Sequence, residues 1–126
     1  MKSNQVDWTM FVQCSDKRFQ VATQQLRKHL GIKKGHYDPI SVPGGAGNFD
    51  VLQSSMKTLD PFRPQNRRAV LTVHEDCAAQ ATRDHLIQSI QLTQEFFPEV
   101  VAYFLKLDGS FELVEHVCNQ SVVIKT

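Results

Sequence analysis

Cysteine is scarce, with three among 126 residues, at Cys14, Cys77 and Cys118. So odd and sparse a set excludes the dense disulfide framework that holds small secreted domains together. Five prolines and six glycines are too few for collagen-like repeats or a linker. No apolar run approaches the roughly 18 residues of a membrane span. The opening Met1-Lys2-Ser3-Asn4-Gln5-Val6-Asp7 lacks the apolar stretch of a secretory signal. Neither sign of charge dominates: 14 Lys and Arg against 13 Asp and Glu leave +1, so no long-range field draws the chain to nucleic acid or an anionic membrane. What is present is ordinary for a globular chain, with 41% hydrophobic residues. The expectation is one cytoplasmic domain over residues 1–126, with neither nucleic acid nor membrane as partner.

Val6 to Cys14 (VDWTMFVQC) predicts a buried strand. Phe19, Ala22, Leu26 and Leu30 share one face of a helix over about residues 18–30, capped by Gly31. Asp38 to Val42 reads as a second strand, and the small residues of Pro43 to Asn48 as a tight loop. Phe49, Leu52, Met56 and Leu59 mark a second helix that Pro61 and Pro64 end. Arg68 to His74 (RAVLTVH) is the clearest strand, and a helix from about Ala78 to Phe97 follows, bounded by Pro98. Glu99 to Leu107 and Phe111 to Val117 read as strands joined by a two-residue hairpin at Asp108-Gly109. This alternation predicts an α/β fold with a mostly parallel sheet and one antiparallel edge.

In open α/β sheets ligands bind beyond the carboxyl ends of the strands. The first strand ends in Cys14, Asp16 and Arg18, and the third in His74, Glu75, Asp76 and Cys77. If those strands are neighbours, Cys14, His74 and Cys77 converge on one point. Two thiolates and an imidazole suit Zn²⁺, and three protein ligands leave open the fourth position that distinguishes catalytic from structural zinc. A Cys77 in the first turn of the following helix would gain thiolate character from the helix dipole. Arg18, whose planar fork matches a carboxylate, would hold Asp16 off the metal and ready to accept a hydrogen bond from bound water.

These residues resemble the β-class carbonic anhydrases. Cys14-Ser15-Asp16-Lys17-Arg18 fits that family's C-x-D-x-R motif, His74-Glu75-Asp76-Cys77 its H-x-x-C motif, and Ala46-Gly47-Asn48 its A-G-N loop, all in order. The resemblance spans Trp8 to about His116. It implies a sheet in order 2-1-3-4 with an antiparallel fifth edge strand and helices on both faces. It further implies zinc on Cys14, His74 and Cys77, an Asp16–Arg18 dyad, hydration of CO2 to bicarbonate by a zinc-bound hydroxide, and a homodimer or higher homo-oligomer. Hydration of a related small heterocumulene is a variant of the same chemistry. Two positions depart from the pattern: Ala78 stands where the family usually has Gly, and Gly44-Gly45 where Arg-Asn commonly precedes the A-G-N loop.

A non-catalytic zinc domain of the same fold is the alternative, and a nucleotide-binding α/β module is a third. The loop at Pro43 to Asn48 lacks both the Walker ending and the G-x-G-x-x-G spacing that the third would need. The basic cluster from Arg27 to His36 reads as a solvated helix end, His85 and His116 as surface residues, and Cys118 as a spare thiol beyond the last strand. Phe96, Phe97, Tyr103 and Phe104 read as packing residues.

Overall fold

The computed structural model describes residues 9–62 and 67–118. In chain order these are β1 (Thr9–Cys14), a 3-10 turn (Lys17–Phe19), α1 (Gln20–His29) and β2 (Tyr37–Val42), then a second 3-10 turn (Gly45–Gly47) and α2 (Phe49–Leu59). β3 (Arg68–His74), α3 (Arg83–Gln94), β4 (Glu99–Leu105) and β5 (Phe111–Cys118) complete the order. The strands form one sheet in order β2-β1-β3-β4-β5. β1 pairs in parallel with β2 and β3, and β3 with β4, whereas β4 and β5 are antiparallel. The α/β class and the sheet order are those expected.

Alternation along the strands builds two cores. Met10 and Val12 of β1 face α2 and α3, where they pack with Leu52, Met56, Leu86 and Ile90. Phe11 points the other way, into a cluster with Phe19, Ala22 and Leu26 on the α1 side and Val70 and Val101 of the sheet. β3 is buried from Ala69 to His74, as expected of a parallel central strand covered on both faces. Each large aliphatic side chain buried this way contributes about 1.5–3 kcal/mol.

Four boundaries differ from expectation. The third helix does not begin at Ala78: Gln80 sits at φ 64°, and Thr82 caps a helix that starts only at Arg83. The hairpin loop is longer than Asp108-Gly109 alone, running over residues 106–110 with Lys106 N–H donating to the Ser110 carbonyl at 2.9 Å. Cys118 closes β5 rather than lying beyond it. A short turn precedes α1, because Asp16 accepts the backbone N–H of Arg18 at 2.9 Å and so starts the chain on a 3-10 path. Val6 to Trp8 and Pro64, read above as strand start and helix stop, lie outside the described residues.

Candidate metal centre

Cys14 is the last residue of β1 and His74 the last of β3. Because these strands are neighbours, side chains sixty positions apart in sequence meet at the carboxyl edge of the sheet. Cys77 reaches the same point from the turn after β3. The ligand atoms of Cys14, His74 and Cys77 all lie within 4.8 Å of one another.

The histidine is prepared for a metal. The residue is 1% exposed, and its ring stacks on Phe19 at 3.9 Å between centroids and 19° between planes. Its Nδ1 lies 2.7 Å from the Glu75 carbonyl oxygen, which can only accept, so Nδ1 is the donor and in the neutral ring Nε2 is left to act as a ligand. That Nε2 is buried and has no hydrogen-bond partner among the described residues. A buried acceptor without a partner costs about 1–3 kcal/mol, and beside two thiols it is the donor set that zinc satisfies.

The thiols are positioned differently. Gly44 N–H donates to Cys14 Sγ at 3.4 Å. Gly45 lets this loop come close: a Cβ there would stand 2.6 Å from the Thr72 carbonyl and 3.0 Å from Cys14 N, at φ 53°. Cys77, by contrast, precedes α3 by five residues, so the helix dipole invoked from the sequence does not act on it. Its turn is instead closed by Gln80 N–H donating to the Cys77 carbonyl at 2.8 Å.

Asp16 and Arg18 form the expected pair beside this cluster. Arg18 Nη2 donates to Asp16 Oδ2 at 2.7 Å, and Nε reaches the same oxygen at 3.1 Å and Oδ1 at 3.2 Å. These bonds, reinforced by the Arg18 backbone N–H, lower the Asp16 carboxyl from its ordinary 3.8 to about 2. Arg18 is held still more firmly charged, by Asp16 first and Asp76 second. Asp16 Oδ2 is 3.8 Å from His74 Nε2, so the carboxylate stands next to the metal-binding atoms while its hydrogen bonds go to Arg18.

Two clefts lie near the cluster, and of its three side chains only His74 lines one of them. One, of about 330 Å³, runs along Gly44, Asn48 and Ala79 to His85; the other, of about 380 Å³, runs from His74 and Asp76 to Arg83 and Phe104. A cavity of about 400 Å³ over α1 and Tyr37 is lined by none of the cluster's side chains. His85 is not a ligand: its Nδ1 accepts the Thr82 backbone N–H at 3.0 Å and completes the cap of α3. His116 pairs with Glu99 at 2.8 Å. Sequence reasoning took the Pro43 to Asn48 loop, with Gly44, as a structural turn flanking the metal cleft, and assigned no role at the site to Phe19 or Asp76.

No profile of a known protein family matches the chain, and no curated protein matches it in sequence. Solved structures do. The carbonic anhydrase of Streptococcus mutans superposes with a TM-score of 0.61 at 15% identity, covering 86% of this chain and 82% of that one. The β-carbonic anhydrase isoform I of Trichomonas vaginalis superposes with a TM-score of 0.63 at 13% identity, covering 90% and 84%. With its sheet order, its antiparallel edge and this breadth of superposition, the chain has the fold of the β-carbonic anhydrases.

Proposed function

We propose that the protein is a zinc-dependent hydratase of carbon dioxide, or of a related small heterocumulene, with Cys14, His74 and Cys77 as metal ligands. The observation that carries this reading is the buried, unpartnered Nε2 of His74, placed with two thiols within 4.8 Å and beside a carboxylate held by arginine. Cys14, His74 and Cys77 would hold a zinc ion, whose chemistry when bound would be Lewis acidity toward a water molecule. Asp16, ionised down to about pH 2, is placed to accept a hydrogen bond from a water at the cluster and would orient it toward CO2. Arg18 keeps Asp16 at this task and off the metal. Carbon dioxide and water become bicarbonate and one proton, and the proton leaves to buffer.

A purely structural zinc site has no need of a carboxylate restrained next to an open position, which favours the hydratase over a non-catalytic domain. The reading includes a cytoplasmic setting, where the thiols stay reduced, and self-association as a dimer or a multiple of it. Both clefts beside the cluster are open to one side, and a second copy would cover them; sedimentation at tens of micromolar, a rough working range, checks this.

Elemental analysis and a stopped-flow hydration assay test the function together. The expected result is one zinc per chain and CO2 hydration that Asp16→Asn lowers. Zinc without hydration leaves the non-catalytic zinc domain, and a chain that binds no zinc overturns both readings.

A further inference from the structure

Arg18 does not face Asp16 alone. A guanidinium offers five N–H donors in one plane. The Nε and Nη2 edge meets Asp16. The opposite edge meets Asp76, with Nη1 donating to Oδ2 at 3.1 Å and Nη2 to the backbone carbonyl at 3.0 Å. One residue therefore receives Arg18 through both its side chain and its main chain. Asp76 does so at φ 56°, a left-handed conformation that Asp and Asn tolerate better than other side-chain-bearing residues.

A guanidinium bound along one edge can still swing on its flexible stem; bound along two edges, it is fixed in plane and position. Asp76 also immediately precedes Cys77, so the same bonds tie the turn that carries one thiol to the end of β1 that carries the other. The Asp76 side chain is 69% exposed, and an ion pair so open to solvent contributes little to stability. Its consequence is therefore orientation.

We propose that Asp76 is a positioning residue of the site, clamping Arg18 so that Asp16 stays hydrogen-bonded to the guanidinium and does not itself close on the metal-binding atoms. The functional consequence rests on the zinc reading above, whereas the clamp is a property of the metal-free chain. Asp76→Gly removes the carboxylate without straining the left-handed backbone, and Asp76→Asn keeps an acceptor and tolerates the same φ.

The test has two arms. In metal-free protein, the ¹⁵N-resolved Nε–H signal of Arg18 is expected to be protected from solvent exchange in wild type and Asp76→Asn, and to lose that protection in Asp76→Gly. In cobalt-substituted protein, the visible spectrum of Asp76→Gly is expected to show an added oxygen ligand as Asp16 joins the metal. Zinc-loaded Asp76→Gly should lose about tenfold in kcat/KM with its zinc content and unfolding midpoint unchanged. An Arg18 signal and cobalt spectrum in Asp76→Gly matching wild type would overturn the clamp. A wild-type chain that binds neither metal overturns the zinc reading, and the exchange measurement then decides the clamp by itself.

Discussion

Asp16 Oδ2 stands 3.8 Å from His74 Nε2, yet its 2.7 Å hydrogen bond is to Arg18. A carboxylate this close to the buried imidazole nitrogen would be within reach of a metal held there if Arg18 released it. Arg18→Ala should therefore leave zinc bound while Asp16 fills the open ligand position, lowering hydration by more than about 10²-fold. Asp16→Asn should cost about 10²-fold without adding a ligand. Hydration rates beside cobalt spectra of the two variants separate these outcomes, and equal spectra would count against the dyad.

Phe19 should matter to both folding and metal. It is 2% exposed in the α1-side core and stacks on the His74 ring. Phe19→Ala is expected to cost about 3–5 kcal/mol in urea unfolding of the metal-free protein. A freed ring also weakens zinc by about tenfold, as loss of an orienting neighbour does; competition with a chromophoric chelator measures this.

Two glycines with positive φ should respond differently to the same change. Gly45→Ala drives a Cβ to within 2.6 Å of the Thr72 carbonyl at φ 53°, and a cost of about 3 kcal/mol or more is expected. Gly109→Ala, at φ 92° with nothing within 4 Å, meets only backbone strain of about 1–2 kcal/mol. Unfolding midpoints of the pair check the ranking.

Asp108 should make the β4–β5 loop sensitive to acid. The Ser110 hydroxyl and backbone N–H donate to its carboxylate at 2.6 and 2.9 Å and hold its pKa below the ordinary 3.8. The folded state thus binds the proton less readily than the unfolded one. The stabilisation is fully present above 3.8 and is lost as pH falls through the depressed folded value. The stability difference between wild type and Asp108→Ala should shrink below about pH 4; urea titrations across that range decide it.

The alternation of strands and helices, the residues of the Cys14, His74 and Cys77 cluster and the Asp16–Arg18 ion pair were legible in the sequence because each lies in a short local motif. Strand patterns, helical stripes and the spacing of Cys14, Asp16 and Arg18 are set within a few residues. The turn after β3 was not legible: Asp76 and Gln80 adopt positive φ, so a stretch read as the first turn of a helix became the loop that carries Cys77. No local pattern placed β1 beside β3, an order that came from the family resemblance, and tertiary structure then brought Cys14 to His74. Only tertiary structure set Phe19 against the imidazole, Gly44 N–H against the thiol and Asp76 across from Arg18. These contacts are between separate elements, and their geometry depends on how the sheet edge and its loops pack, which no short stretch of sequence encodes.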